Sequence, residues 1–328
     1  MKNYLLRRAL YALPILLGVN LLTFALFFVV NTPDDMARMQ LGERRLVPAA
    51  IEKWKTEHGY AQPLWWNRAS VGAGSLTDTL FFTRSLQLFR FDFGQSDSGR
   101  DIGADIRERM LPSLAIALPT LLGELLAGAT LALLVVLMHG SRLDRWATIV
   151  CVALMSVSSL FYIIAGQYLF AKWLRVVPIS GYGEGVAALK FVALPILVQI
   201  GANLGAGARW YRAVFLEEIN RDYVRAAWAR GLADTRVMTQ HVLRNALLPI
   251  LTSVVVTLPS LFFGSLITES FFAIPGLGSY TIDAIQSQDF AIVRAMVFLG
   301  AVLYIIGLLL TDLAYAWADP RVRLASPT

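Results

Sequence analysis

Three polar side chains lie inside long apolar runs of this sequence, namely Glu124, Gln199 and Asn203. A carboxyl group surrounded by hydrocarbon is costly, so it marks either a path for a polar solute or a buried pairing. We therefore leave two interpretations of Glu124 open. It lines a translocation path, where it would suit a cationic group, or it is a structural carboxyl that is paired or protonated. Gln199 and Asn203 belong to the same predicted path.

Residues that perform catalysis or bind metals are sparse and scattered. Cys151 is the single cysteine and lies in an apolar run, and the three histidines are far apart in sequence. The chain has no GxxxxGK[ST] phosphate-binding loop, and none of its lysines lies in a glycine-rich turn. We predict no catalytic residue, no metal site and no cofactor bound by this chain, which argues against a membrane-embedded enzyme.

A polar, basic segment at residues 209–245 separates two apolar runs. It predicts a short helix, a stop at Gly231, whose residue type adopts the left-handed conformation that closes helices, and a second helix capped by Asp234. At helical spacing, one face carries Ile219, Tyr223, Ala226, Ala227 and Arg230. Adjacent alanines would leave a shallow surface for the backbone of another protein. The alternative is an amphipathic helix on an anionic membrane surface.

Two glycine patterns suggest local geometry. Pro275-Gly276-Leu277-Gly278 predicts a non-helical segment, either at an outer gate or in an ordinary connecting loop. Gly201 and Gly205 are four residues apart in an apolar run, a spacing that permits close helix packing.

The composition places these residues in a membrane. Of 328 residues, 56% are hydrophobic and 16% are charged, and the mean hydropathy is +0.58. The net charge is +6, but the arginines flank apolar runs instead of forming a separate basic domain, which argues against nucleic-acid binding.

Apolar runs long enough to cross a bilayer predict an all-α integral membrane protein with six transmembrane helices. The runs extend from about Ala9 to Val30, from after Pro112 to about Met138, from Trp146 to Leu174, from Val186 to about Ala208, from about Ala246 to Phe272, and from Ala291 to Tyr315. Basic residues lie at both ends, in the loop 139–145 and in the segment 209–245, so the positive-inside rule predicts that both termini are cytoplasmic.

The predicted organisation has three parts. Residues 1–30 form the cytoplasmic N-terminus and first helix, residues 31–110 form a periplasmic region, and residues 111–328 form the transmembrane core with its loop at 209–245. The outer region is rich in aromatic residues, including Trp65, Trp66 and Phe91. These residues would anchor the region at the lipid interface or contact a soluble protein.

Several motifs together resemble the permeases of ATP-binding-cassette (ABC) importers. Arg225-Ala226-Ala227, followed by Gly231 and by Leu248-Pro249, resembles the EAA loop of that family. Further motifs point to the dipeptide, oligopeptide and nickel branch, and specifically to its first permease subunit: they are Tyr4-Leu-Leu-Arg-Arg8, Phe91-Asp-Phe-Gly-Gln-Ser96, Glu269 with Pro275-Gly-Leu-Gly278, Asp289 and Asp319-Pro-Arg321. Asn31-Thr-Pro-Asp-Asp35 departs from that branch's usual Pro-Gly-Asp-Pro.

The resemblance implies a type I importer fold and a chain that forms half of a substrate channel in the bacterial inner membrane. It implies a second homologous permease, two ATPase subunits that use ATP and Mg, a periplasmic substrate-binding protein, and contact with membrane lipid. The residues implied to couple to the ATPases are Asp222, Tyr223, Arg225, Ala226, Ala227, Arg230, Gly231, Leu248 and Pro249. Those implied for a periplasmic gate are Glu269, Pro275, Gly276, Gly278 and Asp289.

A self-contained secondary transporter or channel is the alternative. It would need carboxylates or ion sites within the membrane to couple transport to a gradient, and Glu124 is the strong candidate for such a group. The sequence leaves the transported molecule, the partner permease and the resting conformation open.

Overall fold

Long apolar helices dominate the chain. The structure is a computed structural model that describes residues 2–42, 47–68, 70, 72, 74–183, 185–261 and 265–318. In these ranges four helices are long and apolar enough to cross a membrane, at Leu10–Val30, Ile102–Leu137, Gly185–Ile219 and Phe290–Leu310. A fifth crossing is present if the bent pair Arg142–Ser156 and Ser159–Trp173 forms one span. The all-α membrane class is confirmed, whereas the count of six crossings stays a prediction.

Fourteen α-helices lie within the described ranges. They are α1 (Lys2–Phe24), α2 (Pro33–Leu41), α3 (Pro48–Glu57), α4 (Gly74–Thr77), α5 (Ile102–Leu137), α6 (Arg142–Ser156), α7 (Ser159–Gly166), α8 (Ala188–Ile219), α9 (Asp222–Ala229), α10 (Asp234–Val237), α11 (Leu243–Leu261), α12 (Leu266–Phe271), α13 (Leu277–Gln286) and α14 (Phe290–Ala318). Short π-helical segments continue α1, α7 and α10. The one β element among these residues is an isolated bridge between Gln95 and Asp101.

Two helices extend beyond the predicted spans. Helix α5 starts at Ile102, ahead of Pro112, because the Asp101 carboxylate accepts a hydrogen bond from the Ala104 amide and so caps the helix earlier. Helix α8 continues past Ala208 to Ile219. Its extension is amphipathic, and Tyr211 and Phe215 are buried one turn apart.

The third predicted span is broken in the middle. Helices α6 and α7 meet at 90°, because Val157 adopts an extended conformation (φ −89°, ψ 128°) that ends α6. The Tyr162 hydroxyl donates to the Leu154 carbonyl at 2.8 Å and so joins the two sides of the break. The continuous apolar pattern from Trp146 to Leu174 did not reveal this bend.

One compact unit comprises the described residues between 2 and 109 together with residues 280–305. Its core includes Phe24, Phe28 and Trp54. The segment Asn31–Asp35, which departs from the resembled branch, begins α2 with a capping box between Thr32 and Asp35. The predicted division at residues 30 and 110 therefore does not coincide with this unit, which takes in part of α14 as well.

The second compact unit comprises the described residues between 110 and 279 and residues 306–318. A cluster of buried side chains, called here the inner core, joins α5, α8, α9, α10 and α11. Its fully or nearly buried members are Ala132, Val136, Tyr211, Phe215, Val224, Ala227, Val237, Met238, Val242, Ala246 and Ile250. A separate cluster around Leu194 and Phe272 packs α7, α8 and the end of α12.

Of the predicted features, Asp319-Pro-Arg321 and the side chains of Leu248 and of the motif Tyr4–Arg8 lie outside the described residues.

Candidate functional site

A polar cavity of about 320 Å³ lies in the second unit. Its walls come from α5, α8, α11, α12 and the residue before α12. The lining residues are Ser113, Ile116, Ala117, Thr120, Leu121, Glu124, Gln199, Asn203, Thr257, Ser265 and Glu269. Glu124, Gln199 and Asn203, the three residues predicted to line a path, therefore share one cavity.

Glu124 and Asn203 form the direct polar contact between α5 and α8 in this cavity. The Asn203 side-chain amide donates to Glu124 Oε1 at 2.6 Å. Thr120 precedes Glu124 by one turn and Gln199 precedes Asn203 by one turn, so each helix presents two polar residues on one face. The contact joins residues 79 positions apart in the chain.

Gln199 extends this polar network to α12. Its amide nitrogen donates to Ser265 Oγ at 3.0 Å and to Thr268 Oγ1 at 2.8 Å. Ser265 is also the N-cap of α12, where its hydroxyl accepts from the Thr268 amide. The cavity wall at α12 is thus fixed by side-chain hydrogen bonds.

Glu269 also lines the cavity and is 1% exposed. Its Oε1 accepts from the Ser113 hydroxyl at 2.8 Å, and its Oε2 accepts from the backbone amides of Gly278 at 2.7 Å and Ser279 at 3.1 Å. Those amides belong to the first turn of α13, where a negative charge is stabilised by the free N–H groups. The carboxylate is therefore bound by its own chain.

Two glycines make this arrangement sterically possible. A Cβ at Gly276 would overlap Glu269 Oε2 and Ser113 Oγ, and one at Gly278 would lie 2.9 Å from Glu269 Oε2. The pattern Pro275-Gly-Leu-Gly278 was predicted to form a non-helical segment. That prediction was wrong in part, because α13 begins at Leu277, and the amides of Gly278 and Ser279 in its first turn donate to the Glu269 carboxylate.

Asp289, grouped with these residues by the resemblance, belongs to the first unit. Its Oδ1 accepts from the Ile292 amide and so caps α14, while its Oδ2 accepts from the Asp97 amide at 2.9 Å. The contacts of Asp289 within its unit are those of a structural cap.

Sequence reasoning missed Ser113 and Thr120. Ser113 precedes Thr120 by seven residues, and Thr120 precedes Glu124 by four. All three therefore lie on one face of α5. That spacing was visible in the sequence, but single hydroxyl residues in an apolar helix are common and carry a weak signal.

The basic segment contains the predicted short helix, α9, with different bounds. It begins at Asp222, since α8 ends at Ile219. Val224 and Ala227 are buried in the inner core, whereas Tyr223, Ala226 and Arg230 are exposed. The prediction that Ala226 and Ala227 share a face was therefore wrong, because 100° of helical rotation separates neighbouring residues.

Gly231 ends α9 as predicted, with a φ of 77°. Its amide donates to the Trp228 carbonyl at 2.8 Å, and the Leu232 amide donates to the Ala227 carbonyl at 3.4 Å. This is the Schellman pattern. Asp234 was wrongly predicted to be a cap: Ala233 occupies that position, and the Asp234 carboxylate accepts from the Trp228 indole at 3.0 Å.

An ionic contact, which sequence reasoning missed, joins α6 and α8. Asp144 is 5% exposed, and the Arg212 guanidinium donates to both of its carboxylate oxygens at about 3.0 Å. The Gly140 amide donates to the same carboxylate. The arginine that the sequence assigned only to a positive loop therefore also fixes the end of α8 to α6.

No group of three or more His, Cys, Asp or Glu residues that could hold a metal ion occurs in the described ranges. The second unit thus has two candidate sites. One is the polar cavity, to which the carboxylate of Glu124 is exposed, and the other is the short helix α9, which packs on α5, α8 and α11. This combination suits passage of a solute and mechanical contact with another protein.

Comparison with known proteins gives the family. Residues 124–324 match the model of the binding-protein-dependent transport system inner membrane component, and residues 1–81 match the model of its N-terminal part. The dipeptide transport system permease protein DppB of Escherichia coli K12 is 28% identical, with 98% of this chain and 99% of that protein covered.

Two further relatives agree. The oligopeptide transport system permease protein AppB of Bacillus subtilis 168 is 27% identical over 98% of this chain and 100% of that protein. The probable D,D-dipeptide transport system permease protein DdpB of E. coli K12 is 28% identical, with 93% of each chain covered. The resemblance drawn from the motifs is confirmed. This chain belongs to the family of binding-protein-dependent transport system inner membrane components, the membrane-embedded permeases of such systems.

Proposed function

We propose that this chain is one of two permease subunits of an ATP-driven importer for peptides or a related small solute. The three relatives described above are permeases of dipeptide, D,D-dipeptide and oligopeptide transport systems. The chain would form half of the translocation path, with Glu124, Gln199 and Asn203 on its wall.

The observation that carries this proposal is the position of α9 in the inner core. Val224 and Ala227 of this external helix pack among side chains of α5, α8 and α11. Because packed cores do not deform continuously, a force applied to α9 moves those helices as a group. ATP hydrolysis in a separate subunit could therefore change the conformation of the path.

The outward face of α9 is suited to docking. Asp222, Arg225, Ala226 and Ala229 lie opposite the buried residues and are exposed. The small side chains of Ala226 and Ala229 permit close approach of a partner, and Arg225 offers a charge for orientation. Tyr223, Arg230 and Gly231 border this face, and Leu248 and Pro249 follow in the second turn of α11.

In this proposal α9 contacts one of two ATPase subunits, which bind ATP and Mg, and both termini are cytoplasmic. A homologous permease completes the path. A periplasmic binding protein delivers the solute to the outer side, where Glu269, Pro275, Gly276 and Gly278 would stabilise a gate. Asp289 would act there only through its cap on α14.

The test is ATP-dependent uptake by the reconstituted complex of both permeases, the ATPases and the binding protein. Ala226→Glu should reduce dipeptide uptake about tenfold or more while the ATPases retain basal hydrolysis, because a charged side chain of this length separates the docked surfaces. Ala226→Ser, which keeps the small volume, should retain uptake.

Unchanged uptake with Ala226→Glu would contradict the docking role. Uptake by this chain alone, driven by an ion gradient and without the ATPases, would contradict the proposal as a whole and favour a secondary transporter.

A further inference from the structure

The cavity in the second unit contains a carboxylate, that of Glu124, which has no cationic neighbour among the described residues that line the cavity. None of its described lining residues is lysine, arginine or histidine. Among the described residues, the one hydrogen bond to the Glu124 carboxylate comes from the neutral Asn203 amide. Glu269, the other acid in the lining, is already bound by Ser113 and two backbone amides.

The orientation of Asn203 determines what the cavity offers to a ligand. A carboxylate only accepts hydrogen bonds, so the Asn203 amide nitrogen must point to Glu124 and its carbonyl oxygen is left for a ligand. No described donor bonds to that oxygen.

Thr120 adds another unsatisfied polar atom. It is 9% exposed, and its Oγ1 is buried with no hydrogen-bond partner among the described residues. Buried polar groups in proteins are nearly always paired, so an orphaned hydroxyl on the wall of a cavity indicates a missing partner. Thr120 lies one turn from Glu124 on the same face of α5.

From these contacts we infer that the Glu124 cavity binds an organic ammonium group, namely the protonated amino terminus of a transported peptide. This inference rests on the proposed peptide-import function. An ammonium group has one positive charge and three donors. It matches one free carboxylate, the Asn203 carbonyl and the Thr120 hydroxyl. A divalent metal ion is a poorer match, because it favours several charged oxygen or nitrogen ligands.

The test measures the local electrostatic field with thiol reagents of opposite charge. The starting protein carries Cys151→Ala, which removes the single native cysteine, and Leu121→Cys, which places a thiol on the cavity wall. The assembled permease pair with its ATPases is labelled in detergent, without ATP and without binding protein. The two probes are 2-aminoethyl methanethiosulfonate, a cation, and 2-sulfonatoethyl methanethiosulfonate, an anion.

Each labelling rate is divided by the rate of the same reagent with free cysteine. The ratio of these normalised rates, cationic to anionic, should be about ten, because a nearby carboxylate in a partly buried site attracts the cation and repels the anion. Glu124→Gln should bring the ratio close to that of free cysteine, and Glu124→Asp should retain most of the preference. Glu108→Gln, a change at an exposed glutamate on the same helix, is the matched control and should leave the ratio unchanged.

A competition arm identifies the ligand class. Dialanine should slow labelling of the Leu121→Cys protein, N-acetyl-dialanine should not, and Glu124→Gln should abolish the difference. Equal rates for the two reagents, equal protection by the two peptides, or a cysteine that reacts with neither reagent would each overturn the inference.

Protection by Ni²⁺ without protection by dialanine would also overturn it and would assign the cavity to a metal ion. Because labelling needs no transport, its result does not depend on whether Ala226→Glu reduces uptake. The ammonium-binding inference and the docking role of α9 can therefore be contradicted independently.

Discussion

The hydroxyl of Ser113 donates a hydrogen bond of 2.8 Å to the carboxylate of Glu269, which lies 156 residues later in the chain. The same Ser113 oxygen accepts from the Leu277 amide at 2.8 Å. One small side chain therefore holds together α5, α12 and the start of α13 within the second unit.

Ser113→Ala should lower the stability of the assembled permease pair by about 2 kcal/mol, because it removes one hydrogen bond to the buried Glu269 carboxylate and one from the buried Leu277 amide. Thermal unfolding followed by tryptophan fluorescence measures the change. Ser156→Ala, at an exposed serine that bonds only within its own helix, is the control and should unfold at nearly the parental temperature. Equal effects of the two substitutions would contradict the central role of Ser113.

Gly276 and Gly201 should respond in opposite ways to the same methyl group. Gly276→Ala should destabilise by about 1–3 kcal/mol, since its Cβ would overlap Glu269 and Ser113. A Cβ at Gly201 meets no described atom within 4 Å, so Gly201→Ala should be neutral or stabilise α8 by up to about 1 kcal/mol. The measurement is the unfolding midpoint of each variant, and a Gly276→Ala protein of parental stability would refute the close approach.

Ala226 and Ala227 provide a matched pair for the two faces of α9. Ala227→Leu should destabilise by about 1–3 kcal/mol, because Ala227 is 5% exposed in the inner core and has no room for a larger side chain. Ala226→Leu should change stability by less than about 0.5 kcal/mol and should instead weaken coupling to the ATPases. Stability by thermal unfolding and ATP-dependent uptake separate the two effects. If Ala226→Leu were the more destabilising change, the assigned faces would be reversed.

Asp97 makes the stability of the first unit dependent on pH. Burial raises the pKa of the Asp97 carboxyl, and the negative charge of Asp289 raises it further, against the lowering effect of the hydrogen bond from Gln40. The folded pKa therefore exceeds the unfolded value of 3.8. The protonated form is favoured in the folded state, so this contribution is fully present below pH 3.8 and is lost as pH rises through the folded pKa.

Asparagine does not ionise, so an Asp97→Asn protein should not lose this stability contribution as the pH rises. The free energy of unfolding of the variant should therefore increase relative to that of the parent between about pH 4 and pH 7. Unfolding midpoints across that range provide the measurement. Glu57→Gln, at an exposed position of the same unit, should follow the parental pH profile. A difference between the Asp97→Asn protein and the parent that does not vary with pH would exclude this titration.

The membrane class, most apolar helices and the family could be predicted from the sequence, because length and hydropathy of a helix are local properties. The 90° bend at Val157 could not be predicted, since neither glycine nor proline marks it and the apolar run continues through it. The extension of α8 was hidden for a related reason. Its arginines indicated a loop, although Tyr211 and Phe215 bury one face of a helix there.

For the candidate site, the conspicuous residues were found and their partners were not. Glu124 and Asn203 were recognised because polar groups in apolar runs are costly. Ser113, Thr120 and the Asp144–Arg212 pair depend on contacts between distant parts of the chain. On α9, Tyr223, Ala226 and Arg230 share an exposed side, but the sequence does not show that Ala227 points with Val224 into the inner core.

The first compact unit has a consequence for biosynthesis. It joins the described residues between 2 and 109 to residues 280–305, and contacts such as the Phe27–Phe290 and Phe89–Phe298 ring pairs cannot form until the later segment has left the ribosome. At about 5–20 residues per second, the early segment waits on the order of ten seconds for its remaining part. During that interval its aromatic surfaces need protection by the insertion machinery or by lipid, so truncated nascent chains that end before α14 should be preferred substrates for membrane proteases.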